Sequence, residues 1–380
     1  MRLVLSSGTR TWGGLEQMCV HLALGLEARG HEVVLFCRQG SPVQQKVEHK
    51  IECEPILGHG RLNPVTLARC TRALRRHRPQ AVIGNTTKDP SWTGFAAKLM
   101  GIPFIYRHEF NRPYYDPPRT RLLFGWVPHV HIVNSEASRS TVLASAPWLK
   151  PEQVRVIYNG IDVEQFRDAA PAELGLPSDA LVFGFVGRFE EQKGIFELAE
   201  AWPRVTAALP NAHLVLVGWG DLEADMRSAL GDAPNVHWLG LRSDVPALMN
   251  AFDVLVAPFH QEGFGLVLVE AMAAGVPVVA ARASSAPELV DNGVEGRLVP
   301  LRDAEALARE MIELGSDPAL RECLGAKGRA RACRDFTTGR MVLGHERLLQ
   351  EIVAGVPVRR DGAGASRLAG LGSPRTGSRA

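Results

Sequence analysis

Short apolar segments alternate with amphipathic helical segments along most of this chain, and this alternation restricts the folds that it can adopt. The first unit has an apolar run at Arg2–Ser6, a loop with three glycines at Ser7–Gly14, helical periodicity at Leu15–Arg29, and a buried-strand pattern at His31–Arg38. Strand, loop, helix and strand in this order build a parallel sheet, because the helix carries the chain back to where the first strand began. The opening of the chain therefore predicts an α/β domain.

The alternation is interrupted once and then starts again. Residues 167–180 are rich in Pro, Ala and Asp, as expected of an interdomain linker, and residues 180–330 repeat the strand and helix pattern. Because 380 residues exceed the usual size of one domain, we expect two doubly wound α/β domains, residues 1–165 and 175–335, that face a central cleft. Residues 355–380 are dominated by Gly, Arg, Ser and Ala, and we predict that they form a disordered basic tail.

Composition and charge reduce the number of structural and functional classes to which the chain can belong. With 46% hydrophobic and 22% charged residues, the chain is not disordered throughout, fibrous or multispanning. Residues 1–160 hold 21 basic against 11 acidic side chains, whereas residues 161–353 hold 17 against 29. This asymmetry indicates that the first half faces an anionic partner, although unevenly charged solvated surfaces would produce the same counts.

The cysteines and the apolar segments indicate in which cellular compartment the protein is located. Six cysteines form no CxxC pair and have no regular spacing, which favours reduced thiols over a disulfide or zinc framework. The apolar run near the N-terminus is too short for a secretory signal. The most apolar long window, residues 263–281, contains Glu270 and Pro277 and is interpreted as helix, turn and buried strand rather than a membrane span. We therefore expect a cytoplasmic protein.

The loop after the strand pattern at Leu181–Val186 carries two cations that can bind phosphate. Arg188 and Lys193 lie five residues apart on either side of a turn, and a helix opens at Gly194. An arginine offers a bidentate fork, a lysine a point charge and a helix start free N–H groups, so together they can hold a pair of phosphates. Two solvated surface cations are the alternative interpretation.

The loop near residues 260–265 combines glycines with a carboxylate. Glu262 precedes Gly263–Phe264–Gly265, and Glu270 lies five residues into the next helix. Glycines at a helix start let a ligand approach the backbone, and a carboxylate accepts hydrogen bonds from the hydroxyls of a ribose or another sugar. Two ordinary surface carboxylates are one alternative. A glycosidase acid and base pair is disfavoured, because Glu270 beside a phosphate-binding helix start is badly placed to protonate a leaving oxygen.

These two loops and the run Val267–Pro277 (VLVEAMAAGVP) resemble those of glycosyltransferase family 4, the retaining group 1 glycosyltransferases. Four further motifs occur in the order that the family shows: Gly13-Gly14-Leu15-Glu16, Val133-Asn134-Ser135, Asn159-Gly160-Ile161-Asp162 and Val217-Gly218-Trp219-Gly220. The resemblance covers roughly residues 1–353, and the ordered set of motifs is specific.

The resemblance implies a GT-B fold, in which one Rossmann-like domain binds the acceptor, the other binds a nucleotide sugar, and the last helix, about 338–353, returns to the first domain. The implied roles are the donor diphosphate for Arg188 and Lys193, the ribose for Glu270, and the transferred sugar for Glu262 with the backbone of Gly263, Phe264 and Gly265. Transfer would retain the anomeric configuration, with Arg188, Lys193 and Glu262 among the catalytic residues.

Two further expectations concern the first domain. Gly13 and Gly14 should let the first loop approach the donor phosphate or the acceptor across the cleft. His108, just after the apolar strand pattern at Pro103–Tyr106, matches a position where relatives carry a functionally important His near the reacting sugar. We expect a catalytic role for His108, with a polar loop residue as the alternative.

No cofactor or metal is expected. The donor loops contain no Asp-x-Asp metal signature, and fixed cations with N–H dipoles can stabilise a departing nucleoside diphosphate in place of a divalent ion. One segment departs from the family pattern: relatives commonly have Gly-Gly before the Pro-Glu that ends at Glu288, whereas this chain has Ser284 and Ser285. We therefore assign no donor contacts to that segment.

Basic and aromatic residues in two segments of the first domain bear on the acceptor. Residues 61–78 contain six arginines and an apolar helical stripe, and residues 107–126 interleave arginines with Tyr114, Tyr115, Phe124 and Trp126. This pattern suits a phosphorylated lipid-linked acceptor or an anionic membrane surface. A core-packing helix with an ordinary aromatic loop is the alternative, and no nucleic-acid module accompanies the charge.

The sequence thus predicts a retaining transferase that moves a sugar from a nucleoside-diphosphate sugar to an anionic lipid-linked or cell-envelope glycan, at the inner face of the cytoplasmic membrane. A GT-B nucleotide-sugar epimerase and a catalytically silent nucleotide-sugar-binding scaffold are the alternatives. The second would be expected to have lost Arg188, Lys193, Glu262 or Glu270, and all four are present. A dinucleotide-dependent oxidoreductase is disfavoured because Gly8–Gly14 lacks the G-x-G-x-x-G spacing.

Overall fold

The first domain is built on a seven-stranded parallel sheet. The computed structural model describes residues 1–58, 63–109, 111–115, 118–231 and 233–355. The strands are β1 (Arg2–Ser7), β2 (Glu32–Cys37), β3 (Glu52–Glu54), β4 (Ala81–Gly84), β5 (Phe104–His108), β6 (Val130–Val133) and β7 (Val154–Val156), in the order β3-β2-β1-β4-β5-β6-β7. The helices are α1 (Gly14–Ala28), α2 (Pro42–Val47), α3 (Pro64–His77), α4 (Thr93–Leu99), α5 (Pro118–Thr120) and α6 (Glu136–Ser145), and a π-helical segment covers Arg121–Trp126.

The second domain repeats the architecture with six parallel strands. They are β8 (Leu181–Val186), β9 (Ala212–Val217), β10 (Val236–Gly240), β11 (Val254–Ala257), β12 (Val278–Ala281) and β13 (Gly296–Val299), in the order β10-β9-β8-β11-β12-β13. The helices are α7 (Val163–Arg167), α8 (Ile195–Ala208), α9 (Glu223–Leu230), α10 (Val245–Asn250), α11 (Leu266–Ala274), α12 (Ala286–Leu289), α13 (Ala304–Ser316) and α14 (Pro318–Asp335). Because β8 and β11 are neighbours, the loops that follow them leave the same edge of the sheet.

Continuous apolar runs explain both sheets. Every residue of β4, β6, β11 and β12 is buried, as expected for parallel strands that helices cover on both faces. Polar caps set several helix starts: the Asn63 side chain accepts hydrogen bonds from the amides of Val65 and Thr66, with Pro64 at the first helical position. The expected α/β class and its two doubly wound sheets are therefore confirmed.

The chain returns to the first domain through α15 (Thr338–Val353). Ile161 and Thr337 form a parallel bridge where the two crossing segments meet. From there α15 packs on α1, and Glu346 accepts hydrogen bonds from Arg29 Nε at 2.7 Å and contacts His31 Nε2 at 2.9 Å. The hydrogen bond from Arg29 is the main cause that lowers the pKa of Glu346 below its usual value.

Several details lie outside the sequence expectations. Strand β5 extends to His108, so Arg107 and His108 belong to the sheet rather than to the loop after it. The sequence patterns also did not predict strands β3, β7 and β13. The predicted disordered tail falls almost wholly outside the described residues. Within the described ranges, no helix combines the length and hydropathy needed to cross a bilayer.

Candidate functional site

The two loops that the sequence predicts to bind the donor, residues 187–194 after β8 and residues 258–265 after β11, are joined at the edge of the second sheet. We call them the donor loops, and the one after β11 the donor loop. The ammonium group of Lys193 pairs with the carboxylate of Glu262, and the His260 amide donates to the Gln192 carbonyl oxygen at 2.8 Å. A side chain at Gly194 would collide with the Pro258 carbonyl group, so this glycine permits the close packing of the loops. The structure thus brings together Lys193 and Glu262 from loops that are far apart in sequence.

Arg188 lies on the more exposed side of the same turn. Its side chain is 54% exposed and pairs with Glu190, with 2.7 Å between Nη1 and Oε1. Two helices begin beside this turn with glycine caps in the left-handed region, α8 at Gly194 (φ +70°) and α11 at Gly265 (φ +85°). In the part of the chain that the structure describes, neither start has a side-chain cap, so backbone N–H groups are left to bind an anion.

Glu270 lies half-buried on α11, and burial raises the pKa of its carboxyl group to about 7. No residue in the described ranges forms a hydrogen bond or ion pair with this carboxylate. A half-buried carboxylate without a partner can accept hydrogen bonds from ligand hydroxyls, and such bonds would favour its ionised form.

The segment Gly263–Gly265 lies against the first domain. Ser135 Oγ donates to the Gly263 carbonyl oxygen at 2.8 Å, and a Cβ atom on Gly263 would collide with the Glu109 carbonyl oxygen. Phe264 is 2% exposed, and its ring packs against Tyr158 and Phe336. The Phe264 side chain is therefore not available to a ligand.

A buried polar network fixes the Glu109 backbone that Gly263 contacts. The Glu109 carboxylate accepts from Arg107 at 2.5 Å, from Asn159 Nδ2 at 2.9 Å and from Asn134 Nδ2 at 3.2 Å. Asn134 Nδ2 also donates to the Glu109 carbonyl oxygen at 3.0 Å. Because these partners are buried and charge-assisted, the first-domain wall of the cleft is held rigidly at this point.

The glycines of the first loop meet the second domain. A Cβ atom on Gly14 would lie 3.1 Å from Leu266 Cδ1, at the start of α11, whereas one on Gly13 would meet only the Glu16 carboxylate at 3.4 Å. Gly14 thus marks a close approach between the first loop and the donor loop. Gly13 is exposed and is the N-cap residue of α1.

His108 is buried at the end of β5. It is 7% exposed, its ring packs between those of Tyr106 and Tyr114, and its Nε2 atom lies 3.2 Å from the Arg112 carbonyl oxygen. It comes immediately before Glu109, which contacts the donor loop. The interpretation as a polar loop residue is therefore wrong, and the catalytic role stays a prediction.

Ser284 and Ser285 hold the donor loop in place. Ser284 Oγ accepts from the Glu262 amide at 3.1 Å and from Asn111 Nδ2 of the first domain at 3.3 Å, and Ser285 Oγ donates to the Phe264 carbonyl oxygen at 2.7 Å. Ser284 has φ +49°, in the region that favours glycine. Sequence reasoning missed these contacts; the departure from Gly-Gly was the available signal.

The basic helix of the first domain has one solvent face and one core face. Arg69, Arg72, Arg75 and Arg76 are exposed on α3, whereas Thr66, Cys70, Ala73 and Leu74 are buried. Of the aromatic residues that follow, Phe124 is buried and Tyr114 packs against core residues, whereas Tyr115 is 83% and Trp126 44% exposed. Tyr114 and Phe124 thus pack against the core, as the core-packing interpretation expects, and an acceptor or membrane role for the exposed face stays a prediction.

The described residues contain one group of three side chains with metal-ligand spacing, away from the donor loops. Glu52, Glu54 and His77 lie on β3 and α3. The Glu54 carboxylate already pairs with Arg76, and it contacts His77 Nε2 at 2.9 Å. This group therefore has no evident part in the cleft.

Two Rossmann-like domains whose loops face one another define the GT-B class. Sequence models describing "Glycosyltransferase Family 4" and "Glycosyl transferases group 1" match residues 12–165 and 180–317 respectively, which together make up most of the chain. The chain belongs to glycosyltransferase family 4, as its motifs indicated.

Relatives and solved structures agree with this class. The chain is 38% identical to a phosphatidyl-myo-inositol mannosyltransferase of Mycolicibacterium smegmatis over 47% of each chain, and so matches about half the length of that relative. It is 27% identical to the lipopolysaccharide core biosynthesis glycosyltransferase LpsE of Rhizobium meliloti over 86% of this chain and 92% of that protein. The crystal structure of Anabaena HepE in complex with UDP-glucose has a TM-score of 0.78 and 24% identity, and covers 94% of this chain and 100% of that one.

Proposed function

We propose that this chain transfers a sugar, with retention of configuration, from a nucleoside-diphosphate sugar to an anionic lipid-linked or cell-envelope glycan. The observation that carries the proposal is the junction of the two donor loops, where Lys193 pairs with Glu262 beside two helix starts without side-chain caps. A GT-B relative named for its complex with UDP-glucose and a relative named for lipopolysaccharide core synthesis support the donor and the acceptor class.

The proposed chemistry depends on the negative charge that develops on the leaving nucleoside diphosphate. Departure of a nucleoside diphosphate develops negative charge on its phosphate oxygens, and preorganised donors stabilise such charge without reorganising. Arg188, Lys193 and the amides at the starts of α8 and α11 would supply these donors, so we propose that no metal is required. Glu262, freed from Lys193 as the diphosphate takes over that cation, would accept hydroxyls of the sugar, and Glu270 those of the ribose.

The test is a thermal-shift panel of UDP, GDP and ADP with their common sugar conjugates, repeated on Arg188→Ala. A ligand at 100 times its Kd stabilises the folded state by about 2.7 kcal/mol, which is detectable as a raised midpoint. Selective stabilisation by one nucleotide, lost in the variant, would support the donor site. No shift with any nucleotide would contradict the proposal.

Metal independence is tested by measuring turnover in EDTA. Turnover that EDTA abolishes and Mg²⁺ or Mn²⁺ restores would contradict it.

Glu270 makes nucleotide binding pH-dependent. Burial raises the pKa of its carboxyl group to about 7, and ribose hydroxyls bind the ionised form, so binding tightens as pH rises through 7. We expect the affinity of the stabilising nucleotide to be ~10-fold weaker at pH 6 than at pH 8 from this group alone. Glu270→Gln retains every phosphate titration and removes this one; an equal pH dependence in both proteins would contradict the ribose assignment.

His108 adjoins the point where the domains meet. Replacement by Ala is expected to lower turnover by ~100-fold if the imidazole moves a proton or positions the sugar. Initial rates with donor and acceptor provide the measurement. Near-normal kinetics would remove His108 from the reaction, and Tyr114→Phe, which keeps the neighbouring ring, serves as the packing control.

We also propose that the exposed arginines of α3 dock this domain on the anionic inner face of the cytoplasmic membrane. Helix α3 packs against α4, where Leu99 is 66% exposed and Lys98 lies 5.2 Å from the Trp126 ring. Apolar side chains beside cations suit a lipid headgroup region. The triple variant R69A/R72A/R75A is expected to lose salt-sensitive flotation with phosphatidylglycerol vesicles; absence of flotation in the parent protein would favour an acceptor free of the membrane.

A further inference from the structure

The start of helix α6 in the first domain is closed by a carboxylate of the second domain. Glu288 Oε2 accepts from the Glu136 amide and Oε1 from the Ala137 amide, each at 2.8 Å, and the Tyr158 hydroxyl donates to Oε2 at 3.1 Å. All three donors belong to the first domain, whereas Glu288 lies on α12, beyond the linker. One side chain therefore makes three hydrogen bonds across the domain boundary.

The Glu288 carboxylate is the main hydrogen-bond acceptor for the Glu136 and Ala137 amides. The first N–H groups of a helix have no acceptor within the helix. The Ser135 side chain satisfies the Ser138 amide at 3.0 Å, and for Glu136 and Ala137 the described residues provide Glu288. The positive end of the helix dipole favours a carboxylate there, and charge-assisted hydrogen bonds are stronger than neutral ones.

The same helix start also holds the donor loop. Ser135 Oγ and Ser138 Oγ lie 2.8 Å and 3.3 Å from the Gly263 carbonyl oxygen. On the other side, Arg331 of α14 donates to the Glu288 carbonyl oxygen at 2.8 Å, which anchors the segment that presents the carboxylate. The start of α6 is thus fixed to the second domain at two points, the donor loop and Glu288.

We propose that Glu288 is a positioning residue for sugar transfer. By binding the start of α6, its carboxylate sets the separation of the two domains and thereby the position of the Gly263–Gly265 backbone relative to His108. Glu288 contacts none of the side chains assigned to the donor. The proposal rests on the proposed function for its effect on transfer, whereas the interdomain contact itself is tested without any ligand.

Hydrogen exchange of the full chain tests the contact. In Glu288→Gln only one side-chain oxygen remains to accept, and the amide nitrogen faces an N–H group. We expect the Glu136 and Ala137 amides to exchange at least ~10-fold faster in this variant. Asp303→Asn is the matched control, because Asp303 caps α13 by accepting from the Ala306 amide within the second domain. Unchanged exchange at residues 136 and 137 in Glu288→Gln would overturn the proposal.

Kinetics with the nucleotide sugar that stabilises the parent protein test the role in transfer. A positioning residue predicts that Glu288→Gln lowers kcat ~30-fold while the nucleotide Kd changes less than ~3-fold. Tyr158→Phe removes one donor and keeps the ring, so it should change kcat in the same direction but less, and it replaces Glu288→Gln if that variant does not fold. Faster exchange with unchanged kcat, or equal losses in kcat and nucleotide affinity, would overturn the positioning role. If no nucleotide binds the parent protein, the proposed function fails, while the exchange result still decides whether the contact exists.

Discussion

Replacing Arg188 or Lys193 by Ala is expected to lower kcat/KM ~100- to 1,000-fold, because each removes a preorganised cation from the leaving diphosphate. Losses of this size are typical when one donor to a developing oxyanion is removed, and 1,000-fold corresponds to about 4 kcal/mol of transition-state stabilisation. The two variants should differ in their side effects. Lys193→Ala also removes the ion pair with Glu262 that the diphosphate has to break, so it should lower nucleotide affinity less than Arg188→Ala, whose pair with Glu190 is more exposed and therefore weaker.

The matched control is Arg204→Ala on the exposed face of α8. It changes the net charge of the domain by the same amount, so it separates a local effect from a general electrostatic one. Initial rates and nucleotide affinity should stay within ~2-fold of the parent protein. Equal losses in the Arg204 and Arg188 variants would indicate long-range attraction of the donor rather than contact with its phosphates.

The arrangement of the second-domain loops could be predicted because it depends on local rules. Loops after neighbouring parallel strands leave the same sheet edge, so cations after β8 and a glycine loop after β11 must lie close together. The pair of Lys193 and Glu262 follows from that rule, although the two residues are far apart in sequence. It is harder to predict that the Glu270 carboxylate has no hydrogen-bond or ion-pair partner among the described residues, because this requires knowing which side of α11 faces the cleft.

Contacts between the domains could not be predicted in the same way. They depend on the relative orientation of two separately folded sheets, which no periodicity in the sequence encodes. Glu288 was visible only as the end of a motif, and Ser284 only as a departure from Gly-Gly, yet both bind first-domain groups. His108 illustrates an intermediate case: the sequence analysis placed it just after the strand, whereas β5 includes it. Its burial among aromatic rings depends on Tyr114, which the chain brings back from the following loop.

Gly263→Ala is expected to lower kcat/KM ~1,000-fold while leaving both domains folded. Gly263 does not have positive φ, so the backbone itself accepts Ala, but the new Cβ atom would collide with the Glu109 carbonyl oxygen. Because Arg107, Asn134 and Asn159 hold Glu109 in place, the donor loop must retreat. A displacement of about 1 Å in a reacting group costs ~100-fold. Loss of the hydrogen bonds from Ser135 and Ser138, about 1 kcal/mol together, contributes roughly the remaining factor.

Two measurements and one control variant distinguish this steric effect from loss of folding. The thermal midpoint should fall by only about 2–4 °C, since the lost interdomain hydrogen bonds amount to about 1 kcal/mol and Ala at a permitted backbone conformation adds no strain of its own. The stabilising nucleotide should still bind within ~5-fold, because Arg188, Lys193 and Glu270 remain in the second domain. Gly339→Ala, at an exposed helical glycine where a Cβ atom meets only Thr337 Oγ1 at 3.9 Å, should match the parent in all respects. Full activity of Gly263→Ala would mean that the domains are not in contact at the donor loop during transfer.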